Sequence, residues 1–181
     1  MIAKETYLKG CFIIEPSVYK DKRGYFSETY NSKDFREILG FDIKFVQDNE
    51  SMSSKGVLRG LHYQTGEFAQ AKLVRVIKGS VLDVVVDLRK DSKTFGEYFS
   101  MELSEANKVQ LFVPRGFAHG FLVLENETVF SYKCDNFYNK NAEAGIAYND
   151  KDLAIDWDLD NREITLSEKD KNLSSFKNAL L

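Results

Sequence analysis

Apolar residues in this chain fall into short runs that are separated by turn-forming residues. The strand-like runs occupy 57–64, 73–77, 81–88, 109–113, 120–124 and 128–134. Glycine, proline or asparagine interrupts the chain between several of these runs. Many short strands at nearly regular spacing favour an all-β sandwich or barrel.

The runs before and after the turn at 78–80 predict a β-hairpin. In the second run, the apolar residues at even positions from 82 to 88 share one parity, whereas Asp83 and Asp87 have the other. A period of two is typical of a strand with one buried face. We therefore expect the second strand to be half-buried.

Helical signals are few. A polar cap at Asn31 and a stop at Gly40 predict a helix of about two turns between them. Near the end of the chain, Ser167 is followed three residues later by Asp170, which is the form of a capping box.

The composition indicates one folded domain spanning 1–181. The chain is 43% apolar and 13% aromatic, which is enough for a full hydrophobic core, and it contains no repeat or linker. Its net charge of −3 argues against a surface designed for nucleic acid or an anionic membrane. No window approaches the ~20 apolar residues of a membrane helix, so we expect a soluble cytoplasmic protein.

Cysteine and histidine are both scarce. Cys11 and Cys134 are too far apart in sequence to suggest a disulfide framework and are expected to be buried thiols. The chain has two histidines, His62 and His119, and each lies in apolar sequence flanked by glycine. Histidine can take and give a proton near neutral pH, but a histidine on an apolar strand can equally be a hydrogen-bonded core residue. Each therefore has a structural and a catalytic interpretation.

The surroundings of His119 bear on metal binding. The pattern Pro-x-Gly-x-x-His at 114–119 resembles the second metal motif of cupins, the double-stranded β-helix superfamily. The first cupin motif needs a His-x-His pair and a glutamate, whereas this chain has His62 followed by Tyr63 and Gln64. Two histidines cannot supply three protein nitrogens. A cupin without a metal is the better fit.

Several cations are embedded in apolar strand sequence, where an unpaired charge would be costly. Arg59, Lys72 and Arg75 are such residues, and Arg23 lies in a basic turn that leads into aromatic residues. Converging cations would suit an anionic substrate, because a guanidinium binds phosphate oxygens in pairs. Each cation alone could instead be a surface or ion-pair residue.

Other polar residues have two interpretations. Tyr132 could be a core residue with a satisfied hydroxyl or a general acid. Asp170 could act only in the capping box. The stretch from Gln47 to Asn49 could be a polar strand that contacts a ligand or a turn.

Four segments together closely resemble the dTDP-4-dehydrorhamnose 3,5-epimerase family. They are GVLRGLHYQ at 56–64, AQAKLVRV at 69–76, VPRGFAHGF at 113–121 and YKC at 132–134. RGYFSE at 23–28 and NDKDLAIDW at 149–157 extend the resemblance, which runs over about 7–173. It implies an all-β, cupin-type jelly roll with a few short helices.

The resemblance also implies roles for individual residues. His62 corresponds to the base that removes protons from the sugar, Asp170 to its partner and Tyr132 to the acid on the opposite face. Lys72 corresponds to the lysine that faces the ketone oxygen, and His119 to a histidine that contacts the sugar. The further substrate-binding residues are Arg23, Phe26, Glu28, Gln47, Asn49, Arg59, Tyr138, Glu143 and Lys169.

The implied activity is epimerisation of dTDP-4-dehydro-6-deoxy-D-glucose at C3 and C5 in dTDP-L-rhamnose biosynthesis. The family implies no cofactor or metal, a dTDP-linked 4-keto-6-deoxy sugar as substrate, and a homodimer in which an N-terminal strand lends residues to the partner. Three alternatives stay open: an epimerase that inverts C3 alone, a non-catalytic ligand-binding cupin and a metal-dependent cupin oxygenase.

Two features of the sequence do not follow directly from the resemblance. In a regular strand Arg59 and His62 point to opposite faces, so both reach one ligand only if Gly60 forms a bulge or Arg59 curls around the strand end. The loop at 64–70 also lacks the prolines expected in the family.

Overall fold

The computed structural model describes residues 1–158 and 163–180. The described strands, in chain order, are β1 (Ile2–Glu5), β2 (Phe12–Glu15), β3 (Val18–Asp21), β4 (Gly24–Ser27), β5 (Gln47–Ser53), β6 (Leu58–Gln64), β7 (Lys72–Lys78), β8 (Ser80–Asp87), β9 (Tyr98–Ser104), β10 (Gln110–Val113), β11 (Phe117–Val123), β12 (Thr128–Cys134) and β13 (Glu143–Gly145). The helices are α1 (Ser32–Leu39) and α2 (Glu168–Lys171), with 3₁₀ turns at Gly66–Phe68, Lys140–Ala142 and Phe176–Asn178.

Two antiparallel sheets face each other. One has six strands in the order β1-β2-β10-β7-β12-β5, and the other has five in the order β13-β6-β11-β8-β9. Strands β3 and β4 form a separate two-stranded sheet. The two large sheets enclose a core to which both contribute, for example through Val74 of β7, Val85 of β8 and Phe130 of β12. This arrangement is the predicted all-β, cupin-type jelly roll.

Apolar residues cover part of the outer face of each large sheet. Leu73 and Phe112 of the six-stranded sheet pack against Phe35 and Leu39 of α1. Helix α1 begins after Asn31, whose side chain accepts hydrogen bonds from two backbone N–H groups of the first turn, and ends at Gly40, as predicted.

The predicted hairpin at 72–88 is wrong. Strands β7 and β8 are consecutive, but β7 pairs with β10 and β12, whereas β8 pairs with β9 and β11. The turn at Gly79, where φ is +78°, therefore carries the chain from one sheet to the other. A Cβ at Gly79 would collide with Thr128, so this crossing requires glycine.

The prediction that the second of these strands is half-buried is also wrong. On one face of β8, Val81 and Val85 pack in the core between the sheets. On the other face, Val84 and Val86 pack against the C-terminal segment, including Trp157. Since both faces of this central strand are covered, its two aspartates lie inside the protein.

Cys11 and Cys134 are buried and free, as expected. None of the helices described in 1–158 and 163–180 is long and apolar enough to cross a membrane.

Candidate active site

A cavity of about 610 Å³ lies between the two large sheets. Both sheets and the segment that contains α2 contribute to its walls. The predicted site residues that line it are Asn49, Arg59, His62, Lys72, His119, Tyr132, Lys169 and Asp170. The structure thus brings together the four predicted catalytic residues, although they come from β6, β7, β12 and α2.

A bulge in β6 directs Arg59 and His62 into the same cavity. His62 pairs with His119 of β11, and Arg59 pairs with Phe121, so β6 advances three residues while β11 advances two. The extra residue reverses the parity of the strand, so of the two arrangements that the sequence allowed, the structure has the bulge at Gly60. Gly60 has φ of +120°, and a Cβ there would lie 2.6 Å from the Cα of Gly120, so this close approach of two strands needs glycine.

His62 and Asp170 form a hydrogen-bonded pair. Nε2 of His62 lies 2.5 Å from Oδ1 of Asp170, whose side chain is 4% exposed. Burial opposes ionisation of Asp170, but the hydrogen bond and charge of His62, with help from Ser167 and Lys169, lower the pKa of the carboxyl. An ionised carboxylate can only accept a hydrogen bond, so Nε2 carries the proton and Nδ1 can accept one.

The capping box at α2 is only half formed. The hydroxyl of Ser167 accepts a hydrogen bond of 3.0 Å from the backbone N–H of Asp170. The Asp170 carboxylate does not complete the box but bonds to His62. The capping and catalytic interpretations of Asp170 are therefore compatible, because they use different groups of the residue.

Lys72 and Tyr132 lie on the six-stranded sheet, across the cavity from His62. The ammonium of Lys72 is 5.8 Å from the centre of the Tyr132 ring. Burial raises the pKa of Tyr132, which keeps the phenol protonated and able to act as an acid at neutral pH. Burial lowers the pKa of Lys72, while nearby groups that include Asp83 oppose this effect.

A second histidine–aspartate pair lies deeper in the site. Nε2 of His119 is 2.9 Å from Oδ2 of Asp83, and the two side chains are 7% and 0% exposed. The His119 ring stacks on Phe130 at a centroid distance of 5.9 Å. The sequence did not single out Asp83, because its alternation with apolar residues is typical of a solvent-facing position. An aspartate in the middle of a strongly apolar run was the available signal.

Arg59 is held by a residue that the sequence did not single out. Its Nε and Nη2 donate to the hydroxyl of Ser53, at 3.1 and 3.0 Å. Ser53 ends β5 in the six-stranded sheet, whereas Arg59 belongs to β6 in the five-stranded sheet. The bond therefore links the two walls of the cavity and fixes the guanidinium beside it.

A hydrogen-bonded chain connects three other predicted residues to the cavity. The side chain of Gln47 donates to Asn49 at 3.1 Å and accepts from the backbone N–H of Tyr138 at 3.0 Å. The hydroxyl of Tyr138 donates to Glu143 at 3.0 Å, and Glu143 pairs with Lys169 at 2.5 Å. Asn49 and Lys169 line the cavity, so this chain borders it.

The structure does not bring Arg23, Phe26 and Glu28 into the cavity of their own chain. Phe26 lies in β4 and is 67% exposed, and Arg23 lies in the turn between β3 and β4, where it is paired with Asp21 at 2.6 Å. Glu28 accepts a hydrogen bond from the side chain of Asn31.

In both histidines, Nε2 forms a hydrogen bond with an aspartate carboxylate, as described above. In the described parts of the chain, no three histidine, cysteine, aspartate or glutamate side chains are arranged to hold a metal ion.

The fold and the site define a cupin-type protein whose cavity carries a histidine–aspartate pair, a lysine and a tyrosine. A family model described as dTDP-4-dehydrorhamnose 3,5-epimerase matches residues 5–178. The chain belongs to this family, as the sequence motifs predicted.

Individual relatives agree with the family match. The dTDP-4-dehydrorhamnose 3,5-epimerase of Methanothermobacter thermautotrophicus is 52% identical over 169 residues, which cover 93% of this chain and 90% of the relative. A crystal structure of the enzyme from Elizabethkingia anophelis is 58% identical, with a TM-score of 0.92 over 97% of this chain and 96% of that one. The Legionella pneumophila dTDP-6-deoxy-D-glucose-3,5-epimerase, solved in complex with dTDP-4-keto-L-rhamnose, is 46% identical, with a TM-score of 0.93 over 97% of this chain and 93% of that one.

Proposed function

We propose that this protein converts dTDP-4-dehydro-6-deoxy-D-glucose to dTDP-4-dehydro-L-rhamnose by inverting C3 and C5. One observation carries the proposal: His62 and Tyr132 project from opposite sheets into one cavity that also contains Lys72. Inversion of a carbon requires a base on one face and an acid on the other, and these side chains meet that requirement. The names of the relatives described above support the same substrate.

In the first step, Nδ1 of His62 takes the proton from C3 or C5. Both carbons neighbour the C4 ketone, so the electron pair of the broken C–H bond moves into the carbonyl and forms an enolate. The Lys72 ammonium stabilises the negative charge on the enolate oxygen. The ketone itself accepts the electron pair, so this chemistry needs no cofactor.

In the second step, the Tyr132 hydroxyl gives a proton to the opposite face of the same carbon. The enolate electron pair forms the new C–H bond, and the ketone is restored with the carbon inverted. His62 then loses its proton and the tyrosinate regains one. His62 is 29% exposed, so water can receive its proton. A positioned acid or base contributes roughly 10²- to 10⁴-fold to the rate.

The polar border of the cavity is proposed to bind the nucleotide. Arg59 and Lys169 supply positive charge for the pyrophosphate, and Asn49 and Gln47 supply amide groups. Tyr138 is 50% exposed and can stack on thymine, while Glu143 holds Lys169 and Tyr138.

We further propose a homodimer in which Arg23, Phe26 and Glu28 complete the partner's cavity. The exposure of Phe26 and the position of these residues outside their own cavity support this assignment. Light scattering coupled to gel filtration measures the mass, and a monomer would reject the assignment.

The test of the proposed reaction is product analysis. The purified chain is incubated with dTDP-4-dehydro-6-deoxy-D-glucose, and the configuration of each ring carbon is determined by proton NMR. Inversion at both C3 and C5 is expected. Inversion at C3 alone would establish the C3-only epimerase instead, and unchanged substrate would reject both reactions.

A further inference from the structure

We infer that Asp83 is a positioning residue for this reaction: its carboxylate keeps Lys72 in the ammonium form and orients the ring of His119. The inference deepens the proposed function and rests on it, because Lys72 matters as an ammonium only if the protein stabilises an enolate.

The first observation is the state of the Asp83 carboxylate. Asp83 is 0% exposed and lies on β8, between β11 and β9 of the five-stranded sheet. One carboxylate oxygen bonds to Nε2 of His119, at 2.9 Å. The other oxygen, Oδ1, is buried and has no hydrogen-bond partner. Buried polar atoms are almost always paired, so an unpaired carboxylate oxygen beside a substrate cavity indicates a role there.

The second observation is the set of ionisable groups around this carboxylate. Burial raises the pKa of Asp83, and His119 and then Lys72 oppose this effect and favour the carboxylate. Phe121, the cross-strand partner of Asp83 on β11, lines the same cavity as Lys72 and His119. His62 faces His119 from β6, and Tyr132 faces Lys72 from β12. Lys72, His119 and Asp83 therefore form one buried cluster of ionisable side chains.

Asp83 is the carboxylate best suited to balance the charge of Lys72. Burial lowers the pKa of Lys72, and Cys134, Asp83 and Glu143 oppose this effect. Burial raises the pKa of Cys134 to about 11, so this thiol is uncharged at neutral pH. Glu143 is already bonded to Lys169 and Tyr138. Of these three groups, Asp83 is the one whose carboxylate has an oxygen, Oδ1, without a hydrogen-bond partner.

The same carboxylate determines which nitrogen of His119 faces the substrate. An ionised Asp83 accepts from Nε2–H, which leaves Nδ1 of His119 for the sugar. His62 has the same arrangement with Asp170, but it is more exposed than His119, at 29% against 7%. His62 can exchange its proton with water, whereas His119 is a fixed contact.

Asp87 provides a matched control. It lies on the same strand, four residues after Asp83 and with the same parity, and it is also 0% exposed. Its carboxylate is fully bonded, to Arg89 at 2.8 and 2.7 Å and to the hydroxyls of Ser92 and Thr94. Neither aspartate lines the cavity itself, but Asp83 bonds to His119, which does, whereas the partners of Asp87 lie outside it.

The experiment compares the pH dependence of turnover in the wild type, Asp83→Asn and Asp87→Asn. Loss of the negative charge at Asp83 lowers the pKa of Lys72 further, and the neutral amine no longer stabilises the enolate. The alkaline limb of the turnover profile should therefore move to lower pH by about one unit or more in Asp83→Asn. Turnover at neutral pH should fall about tenfold or more, with dTDP binding unchanged. Asp87→Asn should lower the melting temperature and leave the alkaline limb where it is.

If Asp83 has a purely structural role, Asp83→Asn should have a lower melting temperature and an unmoved alkaline limb. That result would overturn the inference.

If Asp83→Asn does not fold, ¹⁵N NMR of the wild type without substrate tests the orientation of the His119 ring directly, since the chain has only two histidines. His119 should carry its proton on Nε2, and a proton on Nδ1 alone would overturn the inference. Absence of turnover in the wild type would count against the proposed function, and the NMR result would still be informative.

Discussion

Asp170 bonds to His62 through its carboxylate, at 2.5 Å, while its backbone N–H bonds to the hydroxyl of Ser167 at 3.0 Å. Asp170 is therefore both part of the first turn of α2 and the hydrogen-bond partner of the proposed base, His62. Helix α2 has only four residues, and the hydroxyl of Ser167 is the cap that holds the backbone of this aspartate. The short helix thus positions the carboxylate that orients His62.

Asp170→Asn should separate the two roles of this residue. The amide keeps the shape of the side chain and the backbone bond to Ser167, so the melting temperature should change little. It loses the charge that holds His62 in the required tautomer, so kcat should fall by at least about 10²-fold. Steady-state kinetics and thermal unfolding measure the two effects.

Ser167→Ala is the matched control for this variant. It removes the cap and should lower the free energy of unfolding by about 1 kcal/mol, with a smaller effect on kcat than Asp170→Asn. A kcat for Asp170→Asn within a few-fold of the wild type would contradict the assigned pair.

Tyr132→Phe should uncouple proton removal from inversion. His62 still removes the proton and can return one to the same face, so the substrate should exchange hydrogen with D₂O while product formation falls by about 10² or more. Binding of dTDP should survive. Mass and configuration of the recovered sugar report the two processes, and normal inversion by this variant would show that another group is the acid.

Arg59→Ala should weaken dTDP binding more than it lowers kcat, because Arg59 is assigned to the pyrophosphate. Ser53→Ala leaves the guanidinium but removes its 3.0 and 3.1 Å bonds, so it should raise KM by a smaller factor. Calorimetric titration with dTDP measures both effects. Equal affinity in the wild type and Arg59→Ala would refute the assignment.

The stability of the protein should depend on Asp87 in a pH-dependent way. Burial opposes ionisation of this carboxyl, but hydrogen bonds from Arg89, Ser92 and Thr94 outweigh it and lower its pKa to about 2. The resulting stabilisation is present above the ordinary aspartate pKa of about 3.9 and is lost as the pH falls through about 2. Asp87→Asn should therefore cost about 2 kcal/mol at pH 7.

Urea unfolding at several pH values checks this prediction. The difference in unfolding free energy between Asp87→Asn and the wild type should narrow between pH about 4 and about 2. A difference of the same size throughout this range would mean that the ionisation of Asp87 contributes nothing to it.

Local signals in the sequence predicted local structure well. Strand β12 and helix α1 were predicted within a residue of their observed bounds, because alternation and capping depend on neighbouring residues. The pairing of strands depends on distant residues, so the turn at Gly79 was interpreted as a hairpin when it connects two sheets. Strand β11 begins at Phe117, earlier than the predicted 120, because it pairs with β8 along its whole length.

The residues of the candidate site likewise divide into those that the sequence predicted and those that it did not. The motifs predicted His62, Lys72, Tyr132 and Asp170, and the structure brings all four to one cavity. Alternation could not identify Asp83. It shows that a strand has two different faces, but it does not show which of the two is in contact with water. Arg23, Phe26 and Glu28 could be predicted as a group from the resemblance. All three lie outside the cavity of their own chain, so their role is assigned by the proposed homodimer.

Proton NMR of the reaction in D₂O measures proton removal at C3 and C5 itself. The wild type is expected to introduce deuterium from solvent at both C3 and C5 of the dTDP-linked sugar, and His62→Ala is expected to introduce none at either carbon within the same time. Tight binding of the sugar nucleotide by the wild type with no deuterium at C3 or C5 would show that the protein binds this sugar without epimerising it.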